Sequence, residues 1–290
     1  MFGQQLMNGI TVGGIYAMIA LGYTMVYGIL KIVNFAHGDV FMLGTFLALF
    51  CTQALGISYW VAFPIAAIAT AVAGMLIERV AYRNIRSADK LAVLISALGV
   101  SIFLQNLAML VWGTETHPFK SGITLKTYKA GGVTLSNIQI GIIVLCLIMM
   151  GVLYYTVTKT KIGVAMRAVS QSIPVARLMG VNTDRIISFT FGIGSALACV
   201  AGIFVGIYYD AVFPTMGYNY GLKAFAAAIL GGIGSVPGAM IGGFVIGIVE
   251  TLGSAYISAG YRDAFAFGIL ILVLIFKPSG ILGKLRVEKV

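Results

Sequence analysis

Two stretches of this chain hold side chains that could do chemistry or make a specific contact. The first is Val33, Asn34, Phe35, Ala36, His37, Gly38 and Asp39. Asn, His and Asp together at the edge of an apolar segment are costly unless each bonds to something, so the run is a candidate pore or gate. The competing reading is a polar turn in which Asn34 and Asp39 cap helix ends. Glu250 is a single carboxylate in an apolar run, suited to a proton relay or to a buried partner. The second stretch is 159–185, where Arg167, Ala168 and Val169, then Ala176, Arg177, Leu178, Met179, Gly180, Val181 and Asn182, predict a short amphipathic helix closed by Gly180 as its C-cap. Such a helix can fit a groove on a soluble partner or lie on a lipid surface. Other chemistries lack their residues. The Gly283–Lys284 pair is the sole Gly-Lys step and no Ser or Thr follows it, so there is no phosphate-cradling loop. Cys51, Cys146 and Cys199 are scattered through apolar segments and there are two His in all, which argues against a zinc site and for buried packing roles.

The elements that must position these residues follow from composition. Of 290 residues 60% are hydrophobic and 10% charged, against about 25% charged in a soluble domain. No charged side chain precedes Lys31, and none lies between Asp39 and Glu78, Lys90 and Glu115, Lys129 and Lys159, Arg185 and Asp210, or Lys223 and Glu250. A helix needs about 20 such residues to cross a bilayer. Segments such as 140–157 are apolar all round, which excludes the alternating strands of a barrel. The fold expected is an all-α integral membrane protein, a polytopic bundle forming one permease-sized domain over 1–290. Its embedded segments fall near 7–29, 38–55, 60–80, 91–112, 138–158, 186–208, 222–253 and 256–276. The N-terminus lacks a basic start and cleavage site, so the first segment is expected to stay in place.

A net charge of +10 could suggest nucleic acid, but the cations alternate between loops as retention on the cytoplasmic side requires. Arg79, Arg83, Arg86 and Lys90 form one cluster, Lys159, Lys161, Arg167, Arg177 and Arg185 a second, and Lys277, Lys284, Arg286 and Lys289 the tail. These are assigned to the cytoplasm. The 113–137 loop, despite Lys120, Lys126 and Lys129, and the 209–221 loop are assigned outside, as is the N-terminus. Parity then requires 222–253 to enter and return. Its centre, Gly231, Gly232, Ile233, Gly234, Ser235, Val236, Pro237 and Gly238, is rich in helix breakers. It reads as a re-entrant or broken helical hairpin, and irregular backbone at that depth belongs beside protein or a water-filled pathway. Two short crossings joined by a tight turn are the alternative. Gly9 and Gly13, Gly194, Ala198, Gly202 and Gly206, and Gly238, Gly242, Gly243 and Gly247 predict close helix contacts without naming the partner.

Several of these motifs resemble one known family. Asn8 and Gly9, then Ala17 and Ala20 to Gly28, the Asn34–Asp39 run, the Arg167–Gly180 loop, and Leu230–Gly243 with Lys277, Pro278, Gly280 and Leu282 are similar to the permease subunits of ATP-binding-cassette importers for branched-chain amino acids, the LivH type. The resemblance covers nearly the whole chain. It implies a bacterial inner-membrane subunit without catalytic residues or a cofactor of its own, ATP being bound by partners. Those partners would be a second permease, forming a heterodimer, two cytoplasmic ATPases and an extracytoplasmic binding protein that delivers leucine, isoleucine or valine. The 159–185 loop would be the coupling element. The usual Glu-Ala-Ala, three residues, Gly pattern is reduced here to Ala176 and Gly180, with Pro174 and Val175 at the other two positions. Permeases for urea and short amides share much of this pattern, and an ATPase-independent carrier using Glu250 is a further alternative.

Overall fold

A computed structural model describes residues 1–86, 88–120, 122–130 and 132–283; Lys284, Arg286 and Lys289 of the expected basic tail lie outside them. Apart from one small hairpin the described chain is helical. Its helices are α1 (Phe2–Leu30), α2 (His37–Leu49), α3 (Tyr59–Ile77), α4 (Lys90–Trp112), α5 (Asn137–Lys159), α6 (Lys161–Gln171), α7 (Ile173–Leu178), α8 (Thr183–Tyr209), α9 (Met216–Gly231), α10 (Val236–Tyr256) and α11 (Arg262–Phe276). Wider π-type turns extend α2 through Ala54 and α3 through Tyr82. Seven helical stretches among the described residues are long and apolar enough to cross a membrane, and the shorter α2 and α9 pack among them.

α1 is the central post, buried along most of its length, and α8 is nearly as enclosed. The glycine pattern explains the closeness of α1 and α10. A Cβ on Gly13 would come within 2.7 Å of the Phe244 Cα, and one on Gly9 within 2.9 Å of the Ile248 Cα, while Gly243 lies against Ala17. The small-residue face of α8 is also used inside the subunit: Gly194 faces Gly22, Gly202 faces Phe41, and Gly206 faces Phe119. α3, α4, α5 and α11 instead turn Ile68, Leu76, Ile102, Phe103, Val152 and Ile271 outward, the surface a helix presents to hydrocarbon.

Landmarks define the two ends of the bundle. At one, Gly28 of α1, Arg167 of α6, Val157 of α5 and Gly234 before α10 border a common crevice, and the chain after α11 folds onto the same turn, Ile281 and Leu282 donating backbone bonds to Leu230 and Gly231. At the other end the first turn of α1 meets a β-hairpin that the sequence reading treated as plain loop. β1 (Thr127–Ala130) pairs antiparallel with β2 (Val133–Ser136), Thr127 opposite Ser136. The Gln4 amide extends the ladder, donating to the Thr134 carbonyl at 2.9 Å and accepting from the Thr134 N–H at 2.8 Å. Ser136 and Gln139 then start α5 with a reciprocal capping box.

Candidate translocation and coupling sites

The Asn34–Asp39 run is a re-entry into the bundle. α1 ends at Lys31 with φ 57, a left-handed residue whose N–H still bonds to the Tyr27 carbonyl. The chain then turns back without helical bonds and restarts as α2 at His37, whose ring packs on Gly22. Gly22 lies about 12 Å inside the end of α1, at 1.5 Å per residue. The Tyr82 hydroxyl donates to Asn34 Oδ1 at 2.6 Å. The Asp39 carboxylate accepts from Ser101 at 2.5 Å and from Gln105 at 3.0 Å, both on α4. The helix-capping alternative does not describe these residues, because α2 has no side-chain cap. Gly38 allows the approach of α9: a Cβ there would come within 3.0 Å of the Gly221 Cα. His37 lies edge-on to Tyr23, ring centroids 4.7 Å apart.

The 222–253 hairpin is broken where the glycines place it. α9 stops at Gly231 and α10 begins at Val236, capped by the Ser235 side chain bonded to the Gly238 N–H, with Pro237 in the first turn where its missing N–H is harmless. Gly232 and Gly234 have φ of 101° and 94°, in the region that favours glycine. The tip descends to the level of Gly28 near the end of α1, and α10 by itself is long enough to span.

The 159–185 loop forms two helices instead of one. Ser172 separates α6 from α7, capping α7 by accepting from the Val175 N–H, with Pro174 in the first turn. Arg167 bonds back to the Val157 carbonyl and so braces α6 on α5, and Ala168 is half-buried. Ala176 is the buried anchor of α7, while Leu178 and Met179 are 86% and 79% exposed. Gly180, at φ 80, turns the chain through Val181 into α8. Arg177 donates to the Thr183 hydroxyl at 2.9 Å and to Asp184 at 3.3 Å, and Asp184 also pairs with Arg86 from the α3–α4 turn. Beside them the fully buried Glu78 accepts from Arg83 at 3.0 Å and from Ser188 at 2.5 Å. Two polar clusters thus stand at this end, Arg177–Asp184–Arg86 joining α7 and α8 to the α3–α4 turn and Arg83–Glu78–Ser188 joining the end of α3 to α8, and Tyr82 in the same turn as Glu78 reaches Asn34.

Glu250 has partners the sequence reading did not identify. One oxygen, Oε1, accepts from the Tyr16 hydroxyl at 3.1 Å, from Lys223 at 3.0 Å and from Arg262. Lys223 also pairs with Asp263 at 2.6 Å, and Arg262 reaches the Tyr209 hydroxyl at 3.3 Å. Glu250 is completely buried and its Oε2 has no hydrogen-bond partner among the described residues. A cavity of about 460 Å³ adjoins this cluster, lined by Lys223, Arg262 and Asp263 with aromatic walls. The opposite charges on α9 and α10 were a visible signal, but their separation of 27 positions gave no register. The three cysteines are free and buried, and among the described residues no group of three His, Cys, Asp or Glu could hold a metal ion.

Comparison with known proteins places this architecture. Residues 5–274 match the family described as branched-chain amino acid transport system / permease component. The high-affinity branched-chain amino acid transport system permease protein BraD of Pseudomonas aeruginosa is 43% identical, over 99% of this chain and 97% of that protein. The corresponding LivH of Escherichia coli is 44% identical, over 100% of this chain and 98% of that protein. Among solved structures, PsaBC from Streptococcus pneumoniae in complex with Fab aligns with a TM-score of 0.45 at 12% identity, covering 96% of this chain and 93% of that one. Match and full-length identity together show that the chain belongs to the branched-chain amino acid transport system permease family.

Proposed function

We propose that this chain is the membrane permease subunit of an ATP-driven importer of branched-chain amino acids, supplying half of the translocation pathway. The observation that carries the reading is the α6–α7 platform. Leu178 and Met179 project from the end of a helix whose position is fixed by the Arg177–Asp184–Arg86 contacts. Exposed apolar side chains on a braced short helix suit a groove on a soluble partner, and the partner implied is a pair of cytoplasmic ATPases. The names of the full-length relatives favour leucine, isoleucine and valine over urea or short amides.

On this reading the α6–α7 end faces the cytoplasm, in keeping with its many Lys and Arg. The start of α1 and the β-hairpin face outward, where a binding protein would deliver substrate. The Asn34–Asp39 re-entry, with His37 and Gly38 against Gly22, Gly217 and Gly221, and the hairpin turn at Gly231, Gly232, Gly234 and Pro237 are the elements proposed to border the pathway. The Arg177–Asp184–Arg86 and Arg83–Glu78–Ser188 clusters, both seated on α8, with Tyr82 bonded to Asn34, would carry movement of the platform to them. A second permease, a related but distinct chain, completes the pathway.

Gentle-detergent isolation of the tagged chain from native membranes tests the assembly. Two ATPase chains and a second permease should co-purify, with ATP hydrolysis stimulated by leucine-loaded binding protein. Isolation of the chain alone would remove the reading, and stimulation by urea-loaded protein instead would change the cargo.

A further inference from the structure

We propose that the cavity beside Lys223, Arg262 and Asp263 is a transit site for the zwitterionic head of an α-amino acid. This rests on the importer reading and adds to it the residues that meet the substrate. Three observations converge. First, the cluster holds two cations and two carboxylates, so a neutral zwitterion can join it without adding net charge. Second, its members differ in how firmly they are held. Glu250 is wholly buried and binds Lys223, Arg262 and Tyr16 through one oxygen, which fixes both cations in position. Asp263 has a side chain 72% exposed and pairs with Lys223. It is the member a substrate carboxylate can displace from Lys223, leaving Asp263 to receive the substrate ammonium. Third, Phe213, Tyr218 and Phe267 line the same cavity, an apolar wall for a branched side chain beside the charged head, within the volume range of small-molecule sites.

Depth agrees. Glu250 stands six residues before the end of α10, and Arg262 and Asp263 open α11, so the cavity lies between the end bearing the β-hairpin and the middle of the bundle. Charged side chains exposed at that depth on a helical surface face water or protein and not lipid tails. Glu250 acts here as a positioning residue, and Lys223, Arg262 and Asp263 as the groups that touch substrate.

The test is thiol protection in the complete complex, in lipid nanodiscs. Tyr218 is well exposed and lines the cavity, and the native cysteines are buried, so Tyr218→Cys gives one reactive thiol for a charged reagent. Millimolar leucine should slow labelling several-fold. Neither 4-methylpentanoate, which lacks the ammonium, nor isopentylamine, which lacks the carboxylate, should do so, and adding Asp263→Asn should abolish the leucine effect. Equal protection by all three compounds, protection by none, or a thiol unreactive because a subunit covers this face would each overturn the proposal. If Asp263→Asn fails to assemble, the three-compound comparison decides alone. ATPase stimulation by leucine-loaded binding protein, read in the same preparation, separates the two ideas: stimulation without leucine protection removes the site and keeps the importer, and leucine protection without stimulation does the reverse.

Discussion

Two buried carboxylates stand near opposite ends of the bundle and are treated differently. Glu78, at the α6–α7 end, spreads its bonds: one oxygen meets Arg83 and Ser188, and the other lies 3.5 Å from the same guanidinium. Glu250, toward the β-hairpin end, concentrates two cations and a hydroxyl on one oxygen, leaves the other without a partner, and stands behind a cavity. A carboxylate satisfied on both sides serves as a joint between helices. One that holds two cations at the rim of a cavity presents those cations to whatever enters. The same residue type thus fits a mechanical role at one end and a recognition role at the other.

Removing each carboxylate should expose the contrast most strongly. Glu250→Ala leaves Lys223, only 11% exposed, and Arg262 without their shared counter-charge, and loss of one partner from a buried ion pair costs about 3–5 kcal/mol. The thermal transition of the purified complex should fall by many degrees. Glu78→Gln keeps the shape and a hydrogen bond to Ser188, with Arg83 partly open to solvent, so a cost nearer 1–2 kcal/mol is expected. Equal losses in the two variants would break the comparison.

Next in size is Asn34→Ala, which leaves the buried Tyr82 hydroxyl without its acceptor, a loss of about 1–3 kcal/mol. Uptake should fall several-fold with the ATPases still bound, and normal flux would remove the Tyr82–Asn34 link from the coupling route. Arg177→Glu places like charge beside Asp184. Leucine uptake should drop about tenfold, equivalent to about 1.4 kcal/mol, while membrane insertion is unchanged. Smallest is Gly180→Leu, which forces a branched side chain to φ 80 at a cost of about 1–2 kcal/mol spread over an exposed turn. Hydrolysis should become partly independent of loaded binding protein. Unaltered coupling in both variants would detach α7 from the ATPase contact.

The helical spans were legible in the sequence because charge-free runs have few alternatives in a bilayer, and the breaker run at 231–238 located the hairpin turn. The β-hairpin was not legible because its strands are four residues each, too short for Thr127, Tyr128, Val133 and Thr134 to set an alternating pattern apart from a polar loop. Separation of α6 from α7 had a local signal in Ser172 and Pro174, a capping residue followed by a first-turn proline. Side-chain partners were the least legible layer. Asp39 meets Ser101 and Gln105 on a helix more than sixty positions away, and the Lys223–Glu250 contact depends on how a 16-residue helix settles against a 21-residue one. Periodicity and charge spacing fix which face a residue takes, and only packing decides what it meets there.

The central claim is that this chain moves substrate only as part of an ATP-driven assembly. Its most direct test is uptake of radiolabelled leucine into proteoliposomes carrying the permease pair and ATPases, with loaded binding protein outside and ATP inside. The account predicts accumulation that requires both ATP and the binding protein and is strongly reduced by Arg177→Glu. Accumulation by this chain alone, without ATP, would contradict it.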